Sequence, residues 1–122
     1  MFPEDDQRGA DTPTMAALER RAWVRYPVDL NSSCQPAQSA DPAQRWSATI
    51  CDLSAGGLRL RINRPLDRGL LLRIELPSNK RRAVNMLLAR IVHATQTEDG
   101  EWLVGCAFPS PLREEDVRAL IA

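Results

Sequence analysis

Residues 46–62 read WSATICDLSAGGLRLRI, two runs of alternating polarity around Ser54-Ala55-Gly56-Gly57. In the first run Trp46, Ala48, Ile50 and Asp52 alternate with Ser47, Thr49, Cys51 and Leu53. In the second, Leu58, Leu60 and Ile62 alternate strictly with Arg59 and Arg61. A period of two sends successive side chains to opposite faces of a pleated strand, so both runs read as half-buried β-strands. The small residues between them make a turn in which the glycines permit positive φ.

The same pattern extends outward. Leu72, Ile74 and Leu76 alternate with Arg73 and Glu75 until Pro77-Ser78-Asn79 breaks the run. A longer segment, Arg82 to Thr95, carries two opposed inward registers, Val84/Met86/Leu88 and Leu87/Ala89/Ile91, which a bulge reconciles. Glu98-Asp99-Gly100 then turns it into a hairpin with Trp102–Phe108. Upstream, Tyr26 is pushed towards extended backbone by Pro27, and a strand is expected over Val24–Ser32. The Pro-containing stretch Gln35–Gln44 reads as a loop. Residues 1–13 lack apolar periodicity and read as a disordered arm, followed by a short helix over Thr14–Arg21. At the other end Ser110-Pro111 supplies a helix cap and first residue. Leu112, Val117, Leu120 and Ile121 share an inward face. About six short strands and one terminal helix predict an all-β fold, a small antiparallel barrel or sandwich in which closure removes exposed edges.

A length of 122 residues allows one domain. No apolar run approaches the roughly 18 residues of a membrane helix, and the acidic, proline-containing start is unlike a secretory signal, so a cytoplasmic location without membrane insertion is expected. The net charge of zero is unevenly spread. Residues 20–90 hold thirteen basic residues against five acids, while both flanks are acidic. All but Lys80 of the basic residues are arginines, planar donors suited to anions. Cys34, Cys51 and Cys106 fit neither a disulfide framework nor a metal pair and read as buried or idle thiols. His93, the only histidine, has no carboxylate or cysteine at ligand spacing and reads as structural. Ser54, His93 and Asp52 can be drawn as a triad, but no GxSxG elbow surrounds Ser54.

Two clusters carry the chemistry. Arg20-Arg21-Ala22-Trp23-Val24-Arg25 presents two arginines four apart just before the first strand. Asp52-Leu53-Ser54-Ala55-Gly56-Gly57 places an acid, a hydroxyl and two glycines at a turn. Guanidinium forks bind phosphate, donate to guanine O6 and N7 or stack on a purine. Asp52 has the acceptors for the N1–H and N2–H₂ edge of guanine, Ser54 bonds phosphate or base, and Gly57 lets a ligand approach the backbone. The residues describe an anionic purine-nucleotide pocket.

RxxxR before a first strand, DxSxxG about thirty residues later, then Gly105-Cys106-Ala107-Phe108 and a terminal helix resemble the PilZ domain family over about residues 19–121. The resemblance implies a six-stranded antiparallel β-barrel with a short C-terminal α-helix that binds bis-(3′-5′)-cyclic dimeric GMP (cyclic di-GMP). It divides the chain into an acidic arm at 1–18 and a barrel domain at 19–122. By this resemblance Arg21 and Arg25 grip phosphate and guanine. Asp52, Ser54, Gly56 and Gly57 belong to the second motif, and Arg20 marks binding of an intercalated ligand dimer. The implied protein is a non-enzymatic adaptor, with no cofactor or metal, whose N-terminal arm is ordered by ligand to regulate an effector protein. One alternative is a PilZ-like interaction module that binds no ligand. Another is a small barrel binding single-stranded nucleic acid through Trp23, Tyr26 and Trp46 beside Arg45, Arg59 and Arg61. Low aromatic content disfavours that second alternative.

Overall fold

Every alternating run of the sequence becomes a strand, and each strand finds two neighbours. The computed structural model describes residues 23–77 and 85–121. Its strands are β1 (Tyr26–Pro36), β2 (Trp46–Leu53), β3 (Gly57–Ile62), β4 (Leu71–Glu75), β5 (Met86–Gln96) and β6 (Trp102–Ala107), followed by helix α1 (Glu114–Ile121). They close into an antiparallel barrel in the order β1-β2-β3-β6-β5-β4. Inward positions supply a core of Ile50, Leu53, Leu60, Ile74, Ile91 and Val104, each at most 1% exposed.

The opposed registers of β5 resolve in favour of Leu87, Ala89 and Ile91, which are buried, whereas Met86 and Leu88 are 45% and 40% exposed. Val84 lies outside the described residues, as do the expected arm at 1–18 and the helix over Thr14–Arg21. The bulge falls downstream of both registers, where Ile91 pairs with Cys106 and His93 with Gly105, leaving Val92 as the extra residue.

Three expectations are corrected. Strand β1 starts at Tyr26 rather than Val24 and runs to Pro36. Closure against β4 pairs Gln35 with Arg73 and Pro36 with Leu72, so tertiary pairing extends the strand into a stretch whose composition reads as loop. Helix α1 begins at Glu114, not at Ser110-Pro111. Leu112 donates its backbone N–H to the carbonyl of Ala55 (2.8 Å), which holds this approach against the barrel, and the Arg113 carbonyl accepts the first helical bonds. The acids Glu114, Glu115 and Asp116 then occupy the first turn, where the helix dipole favours them. Val117 and Leu120 are buried, and Leu112 and Ile121 pack against the same core.

The third correction concerns glycine. Among the described residues the glycines with positive φ are Gly69 (90°) and Gly100 (88°), not those of the Ser54–Gly57 turn. Gly57 is required for a different reason: a Cβ there would stand 2.1 Å from the Cys106 carbonyl oxygen across the β3–β6 pair. Replacing Gly57 by Ala forces these strands apart, and overpacking of this kind costs about 1–3 kcal/mol. Thermal unfolding of Gly57→Ala is expected to show a lower Tm by at least several degrees; an unchanged Tm contradicts the close approach.

Candidate ligand-binding site

A bulge decides which way Asp52 points. In an unbroken strand Asp52 would share the face of Ile50, which is fully buried, and an unpaired carboxylate inside an apolar core is costly. Between Ile50 and Asp52 the pairing with β3 slips by one residue: Ile50 faces Leu60 and Asp52 faces Arg59, with Cys51 as the extra residue. The face expected from alternation is therefore reversed at Asp52. It turns outward, half-buried, while Leu53 takes the inward place. The outward carboxylate is met by Arg25, whose Nη2 and Nε both donate to Oδ2, at 2.8 and 3.2 Å.

Past β2 the chain bonds to itself. Ser54 N–H donates to the Gly57 carbonyl (2.9 Å), and the Ser54 hydroxyl accepts from Gly56 N–H (3.2 Å) while donating weakly to Gly57 (3.4 Å). The outer carbonyls of this turn hold the C-terminal segment, Gly56 accepting from Phe108 N–H at 2.9 Å and Ala55 from Leu112 at 2.8 Å. Arg25, Ser54 and Gly57 line one pocket of about 600 Å³ whose other walls include Arg59, His93 and Gly105. Gly56 is buried beneath the turn. Arg20 and Arg21 lie outside the described residues.

Residues 19–122 match the profile of the PilZ domain. The chain belongs to the PilZ domain family.

Solved structures share the fold. The PilZ domain of YcgR from Escherichia coli, determined with c-di-GMP, superposes with a TM-score of 0.62 at 17% identity, covering 84% of this chain and 88% of that one. The inhibitor of motility MotI/DgrA of Bacillus subtilis gives 0.59 at 16% identity over 90% of this chain and 53% of that one. A longer YcgR structure with c-di-GMP gives 0.55 at 16% identity, covering 84% of this chain and 44% of that one. This chain spans about half the length of MotI/DgrA and less than half of the longer YcgR chain. No curated protein matches the chain.

In this PilZ domain the pocket gains two side chains that the motifs do not contain. Arg59 is half-buried opposite Asp52, and His93, read from sequence as structural, projects from the outer face of β5. Alternation counted from the inward Ile91 points His93 into the core, and only the bulge at Val92 turns it outward. Among the described residues no group of three or more His, Cys, Asp or Glu side chains gathers to hold a metal. No described helix is long and apolar enough to cross a membrane. Burial pushes the Cys34 thiol up to about 11 and that of Cys106 up to about 12, so both stay protonated at neutral pH.

The start of β1 is also joined to the helix. Tyr26, next to Arg25, donates its hydroxyl to Glu114 Oε2 at 3.0 Å. The bond favours the neutral phenol and raises its pKa above the ordinary value of 10.0. The protonated form is therefore favoured by folding: this contribution is complete below the unfolded value and is lost as pH rises through the folded one. Tyr26 is the only tyrosine, so absorbance at 295 nm reads its ionisation directly. The midpoint is expected above 10 in the native protein and lower in Glu114→Gln; equal midpoints would show that the bond is absent in solution.

Proposed function

We propose that this PilZ domain is a receptor for cyclic di-GMP that acts by binding and passes the signal to an effector protein in the cytoplasm. The observation that carries the reading is that Arg25, distant in sequence, lines one outer pocket of the barrel with Ser54 and Gly57 and is ion-paired there to Asp52, of the same motif as these two. A cyclic dinucleotide has two phosphates and two purine edges. Arg25 offers charge-assisted donors, and Asp52 accepts from the guanine N1–H and N2–H₂ groups. Arg21 completes the arginine pair by its place in RxxxR, and Arg20 accompanies a second, intercalated ligand molecule. The c-di-GMP bound to the YcgR domain, together with family membership, supports this ligand class.

Binding exchanges contacts rather than filling an empty cradle. The Arg25 and Asp52 side chains are 61% and 18% exposed, and an ion pair so exposed contributes about 0.2–1 kcal/mol. Hydrogen bonds from a charged group to a ligand contribute about 1.5–3 kcal/mol each, enough to replace it. Phosphate draws Arg25 away and leaves the Asp52 oxygens for guanine, while the self-bonded Ser54 turn is already in place. The residues before Trp23 are then drawn to the barrel, giving a ligand-dependent surface for the effector.

Isothermal titration with cyclic di-GMP tests this. Wild-type protein is expected to bind saturably, and Arg25→Ala and Asp52→Ala to lose at least about tenfold in affinity, as removal of a charged hydrogen-bond partner predicts. Two ligands per chain supports the intercalated dimer and one excludes it. Absence of binding by the wild type overturns the receptor reading in favour of a ligand-independent interaction module.

A further inference from the structure

Gly105 lies on the outward face of β6 and is nevertheless buried, because the ring of His93 covers it. A Cβ on Gly105 would stand 2.4 Å from both Cε1 and Nε2 of that imidazole. The ring can occupy this place only because position 105 has no side chain. The pairing places Asp52, Arg59, Gly105 and His93 in one row across β2, β3, β6 and β5, on the outer surface of the barrel. His93 and Asp52 reach that row by the same device: each follows an inward isoleucine by two residues, and a one-residue bulge reverses its direction. Both bulged strands thus deliver a polar side chain to the pocket region, and bulges commonly re-aim side chains at functional sites. The row joins an acceptor, a guanidinium and a planar ring above a bare stretch of backbone, a platform suited to a flat heterocycle with charged substituents.

We propose that His93 is a ligand-contact residue of this pocket, its imidazole packing against a purine base, and that Gly105 is the positioning residue that lets the ring lie there. The proposal rests on the cyclic di-GMP reading above and adds to it a binding residue outside both arginine and glycine motifs.

Because His93 is the only histidine, the Cε1–H signal of protein free of added histidines reports on it without ambiguity. Titration with cyclic di-GMP is expected to shift that signal in step with saturation measured by calorimetry. His93→Ala should weaken binding about tenfold, within the range for loss of a stacked base, while His93→Phe keeps most of the affinity. Gly105→Ala should displace the free-state imidazole signal and weaken binding similarly, yet have no added effect on affinity in the His93→Ala background. Saturable wild-type binding with an unmoved histidine signal overturns the proposal and leaves the receptor reading intact. Absence of wild-type binding overturns both. Should a variant fail to fold, the wild-type titration alone decides between these outcomes.

Discussion

The closed barrel imposes strict alternation, and the places where alternation is broken determine what the outer surface can do. With six strands each paired on both sides, no edge remains on which a misplaced side chain can be accommodated. A polar group at an inward position must be buried or the strand must gain a residue. Asp52 and His93 both occupy such positions, and β2 and β5 each gain one, at Cys51 and Val92. The alternative for Asp52 is a carboxylate beside Ile50 in a solvent-free core, a far larger penalty than an irregular ladder. A third slip between Pro27 and Leu30 in β1 lies close to Arg25. The irregular ladder thus recurs around the pocket, while β3 pairs with β6 without interruption over six residue pairs.

The regular part of this architecture was legible in the sequence because period-two patterning is a local signal. Leu58-Arg59-Leu60-Arg61-Ile62 specifies both strand and register unaided. The Glu98-Asp99-Gly100 turn was equally legible, and Gly100 does adopt positive φ. What escaped depends on partners far along the chain. The extension of β1 through Gln35 and Pro36 exists because β4 pairs there, and the delayed start of α1 because the Ala55 carbonyl takes the Leu112 N–H.

For the pocket, the motifs made Arg25, Ser54 and Gly57 readable, with Asp52 as the partner of Arg25, although part of the reasoning changes. Gly57 reads in sequence as space for a ligand, whereas its missing Cβ is space for the Cys106 carbonyl. Gly56 contributes its carbonyl to Phe108 from beneath the turn. His93 was illegible because alternation counts from Ile91 and points it inward. The bulge that corrects the count follows from the partner strand, and no residue type at 91–93 announces it.

These contacts also give the pocket a path to the C-terminal helix. Asp52 holds Arg25, Arg25 is bonded in sequence to Tyr26, and the Tyr26 hydroxyl reaches Glu114 in the first turn of α1. From the other side, the turn that carries Ser54 holds Leu112, two residues ahead of that helix. Both branches start in the motif segments and reach the start of the helix, the first at Glu114 and the second at Leu112 just ahead of it. They differ in strength: the Arg25–Asp52 and Tyr26–Glu114 bonds lie at exposed side chains, whereas the Ala55 and Gly56 carbonyls hold the C-terminal segment through backbone bonds beside the core. The first branch therefore rests on side chains that solvent reaches, and the second does not depend on the Arg25–Asp52 pair. The helix is anchored to the barrel through the buried Val117 and Leu120, independently of the first branch. The division follows from burial: backbone bonds beside a packed core are shielded from solvent, whereas bonds between exposed side chains compete with water.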